Sequence, residues 1–381
     1  GEQERNSPPV DYRQTLRPLG GISKTGARQN AQVILAAWKA AIPEKALPGA
    51  PPGSIKGGEP MKDQYNREID YLRISVTDRC NLRCVYCMPE EGVETVAHDE
   101  ILSYEEILRV CRCAAELGFW RIKLTGGEPL VRRGVAGLAK EIKAVPGIRQ
   151  VTMTTNGVLL GDYAEELAAA GLDAVNVSLD TLDPEAFHRI TRRGELSRVL
   201  GSIDRALAAG LRVKLNCVPT RGSDEVEKLA LLAKDRPIDV RFIELMPVGE
   251  GNPSEGVPAD EIRRRLAAAY GPLTEYAGEW GNGPASYCDI PGFSGKIGFI
   301  SAMSHRFCGG CNRVRLTATG FLKRCLHFDE GTDLRAFLRG SADDAALTEA
   351  VRAAVWGKPA HHLFGEDAAH VERRKMVQIG G

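Results

Sequence analysis

The chain carries no net charge: fifty lysines and arginines balance fifty aspartates and glutamates over 381 residues. That balance excludes a global field of the kind that draws a protein to nucleic acid or to an anionic membrane, so any anion site must be local. Long apolar runs are also missing. None approaches the ~18–20 residues of a membrane-spanning helix, and no charged-then-apolar leader opens the sequence, so the expected location is a reducing cytoplasm. Ten cysteines are plentiful. In a long chain without a leader, clustered thiols point to metal or catalysis rather than to a disulfide framework.

Periodic apolar patterning is absent from most of residues 1–60. The stretch "ALPGAPPGSIKGGEP" (46–60) reads as a Pro/Gly linker, and "NAQVILAAWKAAI" (30–42) could form one short helix. Residues 1–60 are therefore expected to be a disordered extension or leader. Glu2, Glu4 and Asp11 argue against a mitochondrial transit peptide. From Met61 the character changes. The runs "YLRISV" (71–76), "RIKLT" (121–125), "QVTMTT" (150–155), "AVNVSLD" (174–180), "RVKLNCV" (212–218) and "DVRFIEL" (239–245) are strand candidates separated by helical stretches. One of these, "SYEEILRVCRCAAELG" (103–118), opens with a Ser103/Glu106 capping box and closes on Gly118. Six β-α units predict an α/β protein with a parallel sheet, either curled into an incomplete barrel or open and doubly wound. Functional groups are expected just beyond the C-terminal ends of the strands. After residue 250 the rhythm breaks into a helix over 258–270 and the hairpin-like segments "KIGFISA" and "RVRLTATGFLKRCLHF". This part is expected to pack over the open end of the sheet, giving domains at 61–250 and 251–381.

Two thiol triplets stand out. Cys80, Cys84 and Cys87 follow the first strand in a C-x3-C-x2-C spacing. A structural zinc site is closed by four protein ligands, and no further Cys or His follows until His98. Three thiolates can hold three irons of a cubane and leave the fourth open to a small molecule. The alternatives at this level are a zinc site with a distant ligand, and thiols packed as small hydrophobes. The second triplet, Cys308, Cys311 and Cys325, is spaced C-x2-C-x13-C. Zinc is the competing reading here, with His305, His327 or Cys288 as fourth ligand. Arg313 and Arg315 follow the knuckle two apart on a strand and so share a face. A guanidinium pair beside a metal suits a phosphate-bearing ligand. Lys214 lies in an otherwise apolar strand, where a buried cation calls for an anionic partner.

The first triplet, with Tyr86 before its last cysteine, resembles the signature of radical S-adenosylmethionine (SAM) enzymes, and "TGGEP" (125–129) resembles that superfamily's second motif. Together with "TTNG", "NVSLD", "RFIELMPVG", "CGGCNRVRL" and the terminal Gly-Gly, residues 61–381 resemble the GTP 3′,8-cyclases of molybdenum-cofactor biosynthesis (the molybdenum cofactor biosynthesis protein A family). The resemblance implies an incomplete (β/α)6 TIM-like barrel closed by a C-terminal α+β region carrying a second metal cluster. It implies two 4Fe–4S clusters, one held by Cys80, Cys84 and Cys87 and an auxiliary one by Cys308, Cys311 and Cys325. In this family SAM is cleaved to a 5′-deoxyadenosyl radical, and GTP becomes 3′,8-cyclo-7,8-dihydroguanosine triphosphate. Tyr86, Gly127, Ser178 and Met246 match positions that contact SAM. Arg73, Lys123, Thr154, Lys214, Arg313 and Arg315 match positions that contact GTP, with Lys123 standing where the family usually shows Arg. Gly380 and Gly381 match a double glycine that threads into the active site and is needed for catalysis. Implied partners are an electron donor such as flavodoxin, a downstream cyclic pyranopterin monophosphate synthase and a second copy in a homodimer, with no nucleic acid and no membrane. A radical SAM peptide-modifying enzyme with an auxiliary cluster is the competing enzyme class, and a zinc-stabilised scaffold the non-enzymatic one. Cys111, Cys113, Cys217 and Cys288 read as core thiols, "IRRRL" as a solvated helix face, His361-His362 as an exposed loop, and Asp180 and Asp183 as a strand end leading into a capped helix.

Overall fold

Six runs that alternate polar and apolar side chains form strands β1 (Tyr71–Ser75), β2 (Arg121–Thr125), β3 (Gln150–Thr155), β4 (Ala174–Ser178), β5 (Arg212–Cys217) and β6 (Ile238–Ile243). The computed structural model describes residues 60–366 and 371–380, apart from Thr95, Glu279, Asn282 and Ser341. The helix expected over 30–42 and the last residue, Gly381, lie outside the described residues. Each of the six strands pairs in parallel with the next in chain order. Between them run α1 (Tyr104–Glu116), α2 (Val135–Lys143), α3 (Leu160–Ala169), α4 (Pro184–Thr191), α5 (Leu196–Ala208) and α6 (Glu225–Ala230).

Local chemistry sets the boundaries. At the start of α1 the Glu106 N–H donates to Ser103 Oγ at 3.2 Å, and the Ser103 N–H donates to Glu106 Oε2 at 2.7 Å. This is the reciprocal cap read from the sequence. On the outer face of the sheet Ile74, Leu124, Met153, Val175, Val213 and Ile238 form an apolar row through adjacent registers. All are buried, and each such side chain contributes ~1.5–3 kcal/mol on leaving water.

Residues after 250 continue the sheet at both margins. Helix α7 (Ala259–Tyr270) leads into β7 (Thr274–Glu275), β8 (Ser286–Asp289) and β9 (Ile297–Ile300), and β9 lies parallel to β6. Strand β10 (Arg313–Leu316) lies parallel to β1, followed by β11 (Phe321–Lys323) and β12 (Gly331–Asp333) in antiparallel turns. The order is β12-β11-β10-β1-β2-β3-β4-β5-β6-β9-β8-β7. "KIGFISA" is therefore more than half of a hairpin, because its other edge extends the parallel sheet. Helices α8 (Arg335–Arg339), α9 (Asp344–Trp356) and α10 (Met376–Ile379) complete the chain. Among the described residues no helix is long and apolar enough to cross a membrane.

Candidate active site

Opposite the apolar row, strand pairing builds a polar face. Arg315, Arg73, Lys123 and Thr152 are partners across neighbouring strands, as are Thr154, Asn176, Lys214 and Asp239, and Asn216 pairs with Arg241. All of these side chains except Asp239, which stands behind Lys214, line a cavity of about 290 Å³, together with Tyr86, Ser178, Met246, Arg313 and the three cysteines of the second triplet. Four strands contribute cations to it: Lys123, Lys214 and Arg241 are buried, and Arg315 is half-buried. Among the described residues, Asp239 is the only carboxylate on that face of β1–β6.

The electrostatic consequence is like-charge crowding. Burial pushes the Lys123 ammonium well below its usual range, and Arg241, Arg73, Lys214 and Arg313 push it the same way. Burial followed by Arg73 and Arg313 does the same to Arg315. Arg241 Nε and Arg315 Nη1 are buried without a hydrogen-bond acceptor among the described residues. An anion entering the cavity relieves both the crowding and the missing acceptors. Lys214 has the partner its burial demands, with Nζ 2.9 Å from Asp239 Oδ2. Asp239 also accepts from Trp280 Nε1 at 2.7 Å and from the Lys296 N–H at 3.1 Å.

The first thiol triplet lies in the loop beyond the C-terminal end of β1. Arg83 N and Val85 N donate to Thr191 O and Ile190 O at 3.0 Å, which ties the loop to the end of α4. Cys87 N and Met88 N both reach Cys84 O and close a turn around the last two thiols. Cys80 Sγ accepts from the Leu82 N–H at 3.4 Å and from Asn156 Nδ2 at 3.7 Å. Burial lifts the Cys80 thiol to about 11 and the Cys87 thiol to about 12. These thiols ionise only beside a cation, and N–H donors aimed at sulfur suit thiolate ligands.

"TGGEP" packs directly on this loop. Gly127 N donates to Thr77 O and Glu128 N to Arg79 O, each at 2.8 Å. A Cβ on Gly127 would stand 2.4 Å from Arg79 O and 2.6 Å from Val377 Cγ2. Only glycine lets the two loops meet there. The Glu128 carboxylate accepts from Thr155 Oγ1 (2.8 Å), Asn156 N (2.7 Å) and Leu130 N (3.1 Å), and burial raises it to about 7. Tyr86 Oη donates to Asp180 Oδ2 at 2.6 Å. Asp180 is thus a cavity-lining residue as well as a strand end, while Asp183 caps α4 through Ala186 N at 2.7 Å.

The second triplet occupies the other end of the adjacent strand. Cys308 and Cys311 precede β10, and Cys325 follows the antiparallel β11, so all three meet at the N-terminal end of β10. Because β10 is parallel to β1, this is the end away from the first triplet. The sequence rule placing function at C-terminal strand ends holds for the first triplet, Gly127, Ser178 and Met246. It fails for the second, whose strand joins β1 in parallel instead of forming a separate hairpin over the top. Tyr71 to Ser75 spans ~13 Å at strand rise, with Arg313 level with Tyr71 at the second-triplet end and Arg73 and Arg315 level with each other midway. Burial raises Cys311, but the nearby Arg313 and Lys358 charges outweigh it and bring the thiol down to about 6. Of the other proposed ligands, His305 is exposed beside Asp260, and Cys288 sits on β8 beneath Arg263. His327 and His362 are buried and line the cavity. This corrects the exposed-loop reading for His362, whose ring bonds to Ala302 O at 3.0 Å. Among the described residues no three His, Cys, Asp or Glu side chains converge on a point one metal ion could occupy. Tetrahedral zinc needs its sulfurs within ~4 Å of one another, whereas each cubane iron takes its own thiolate.

The tail closes the first site from above. Met376 lines the cavity, Val377 lies against Gly127, and Gly380 is buried at φ +80°. A Cβ there would stand 2.8 Å from Ser75 Cβ and Thr125 Oγ1. The penultimate glycine thus sits at the C-terminal ends of β1 and β2. Sequence reasoning missed Arg241, Asp239 and Asn176 as site residues. Their signal was the period-two polar stripe shared by all six strand candidates.

Comparison with known proteins places these features. Residues 74–233 match the Radical SAM superfamily and residues 238–364 match Molybdenum Cofactor Synthesis C. The GTP 3′,8-cyclase of Clostridium perfringens strain 13 is 46% identical over 323 residues, covering 84% of this chain and 100% of that protein. That of Heliobacterium modesticaldum is 48% identical over 327 residues, with the same coverage. The chain belongs to the GTP 3′,8-cyclase family. Membership in this radical SAM family carries with it a 4Fe–4S cluster and SAM as cofactors. Among solved structures, Streptococcus suis SuiB bound to its precursor peptide SuiA aligns with a TM-score of 0.53 at 15% identity. It covers 91% of this chain and 75% of SuiB, a likeness of fold alone.

Proposed function

We infer that this GTP 3′,8-cyclase family member converts GTP to 3′,8-cyclo-7,8-dihydroguanosine triphosphate, the first step of molybdenum-cofactor biosynthesis. The observation that carries the reading is a cavity between two thiol triplets whose walls gather the cations Arg73, Lys123, Lys214, Arg241, Arg313 and Arg315 against one lining carboxylate, Asp180, with Asp239 behind Lys214. A polyphosphate satisfies that charge; a peptide, the substrate class of the competing reading, does not.

In this reading the strands β9, β10 and β1–β6 form an incomplete TIM-like barrel, residues 61–250 being the radical SAM part and 251–381 the auxiliary-cluster and substrate-binding part. Cys80, Cys84 and Cys87 hold the SAM cluster, and Cys308, Cys311 and Cys325 an auxiliary 4Fe–4S cluster; free thiols with N–H donors at Cys80 and Cys311 support both. Tyr86, Gly127, Ser178 and Met246 hold SAM. Arg73, Lys123, Thr154, Lys214, Arg313 and Arg315 hold GTP, with Arg241 added from the geometry. Bound there, SAM and a reduced cluster would supply 5′-deoxyadenosyl radical chemistry for hydrogen abstraction at the ribose 3′ carbon. The chain's own work is positional: the cations fix the phosphates, the second site fixes the base, and the ribose is left facing the first site. Gly380, with Met376 and Val377, excludes water from the reacting carbon, and the terminal pair Gly380 and Gly381 is needed for catalysis. An external one-electron donor such as flavodoxin, a synthase that takes up the product, and a homodimeric assembly fit the same reading.

The test is anaerobic reconstitution followed by assay of SAM with GTP. Two clusters' worth of iron and sulfide per chain and GTP-dependent 5′-deoxyadenosine are expected. Turnover of a peptide but not GTP, or zinc in place of iron, overturns the reading.

A further inference from the structure

The tail reaches the first site from a fastening point at the second. Lys323 is the last residue of β11, cross-strand partner of Arg315 and two residues before Cys325. Its ammonium is fully buried and bonds to the Glu372 carboxylate and, at 2.5 Å, to Phe328 O. Glu372 is buried as well. Its two oxygens also accept from Arg374 Nε and Nη2 at 2.9 Å each. Its own N–H donates to His327 O at 2.7 Å, next to an isolated bridge between Phe328 and Val371. From this knot the chain runs through Lys375, bonded to Glu250, and Met376 to Gly380 against Ser75 and Thr125. Four residues of α10 have too few internal hydrogen bonds to hold that position alone. A buried ion pair is a poor source of net stability, its best-attested use being to fix register, and a terminal segment stays in place only when tied down.

We propose that Glu372 is a positioning residue: by anchoring the tail to the strand that leads into Cys325 of the second thiol triplet, it sets how far Met376–Gly380 reaches into the first site. The inference rests on the reading of the tail as part of the active site. It makes the geometry of one end of the cavity depend on the folding of the other.

The experiment is amide hydrogen exchange on the reconstituted full chain, comparing the parent with Glu372→Gln. Exchange at Met376–Gly380 is expected to rise about tenfold to hundredfold, the factor set by losing one charge-assisted hydrogen bond, with the amides of β1–β6 unchanged. Deleting Gly380 and Gly381 in the Glu372→Gln background is expected to lower 5′-deoxyadenosine formation no further than the deletion alone, because both changes act through the tail. Should Glu372→Gln fail to fold, the Lys323→Met/Glu372→Met pair keeps the volume without a buried charge, and the same loosening is expected. Unchanged exchange at Met376–Gly380 in the folded variant, or losses that multiply, overturns the proposal. Exchange is read without GTP, so its outcome is independent of whether GTP is the substrate.

Discussion

Replacing Lys214 by Met separates two roles that one ammonium combines. In the parent, Lys214 and Asp239 side chains are 6% and 9% exposed and 2.9 Å apart, so solvent screening does little to their interaction. Breaking a buried pair from one side costs ~3–5 kcal/mol, because a charge is left without compensation. Here Asp239 keeps two donors, Trp280 Nε1 and Lys296 N, and retained hydrogen bonds reduce the expected loss to about 2–3 kcal/mol. Lys214 also faces the cavity. Losing one charged contact to a phosphate is expected to weaken GTP binding by about tenfold to hundredfold. Lys214→Met/Asp239→Asn tells the two apart. Without an orphaned carboxylate, stability should return to within ~1 kcal/mol of the parent, while GTP affinity stays low. Urea unfolding and anaerobic titration calorimetry read the two quantities separately. A single variant as stable as the parent refutes the account of the pair, and a double variant that regains GTP affinity refutes the phosphate role.

Three further expectations follow from the same geometry. Glu128 has its folded value raised to about 7 by burial, so its contribution to stability is fully present below pH ~4.5 and is lost as pH rises through 7. Glu128→Gln should flatten that decline, worth about 2–4 kcal/mol between pH 5 and 8, in melts across that range; an unchanged slope counts against it. Gly127→Ala drives a methyl to 2.4 Å from Arg79 O; a cost of ~1–3 kcal/mol is expected, together with loss of iron from the first site while the second keeps its own, as read by iron analysis. Changing Cys308, Cys311 and Cys325 together to Ala should halve the iron and stop GTP cyclisation, and full retained activity would remove any auxiliary role.

Much of this was legible in the sequence because local chemistry decided it. "RIKLT" and "QVTMTT" are strands with the expected bounds, and Ser103 with Glu106 caps its helix. Arg73, Lys123, Thr154 and Lys214, named through the family resemblance, all lie on the face that became the cavity wall. What stayed hidden depended on pairing between distant segments. Nothing in "KIGFISA" states that it will lie parallel to β6, and nothing in "RVRL" that it will lie parallel to β1. Yet that second pairing decides at which end Cys308 and Cys311 sit. Asp239 was legible as a strand residue but not as the counter-ion of Lys214, because a register across two strands fixes the partner. His362 was passed over because a histidine pair in a loop is usually exposed, and only tertiary packing on Ala302 and Phe364 buries it.

Strands β9 and β10 have one more implication. Both come from the stretch after residue 250, yet each zips onto an outer strand of the sequential six. A chain cut at that point would bare two rows of main-chain donors and acceptors, inviting stacking with other copies rather than a soluble half-enzyme. The two matched segments, 74–233 and 238–364, are thus woven into one cloth, and they should melt in a single cooperative step.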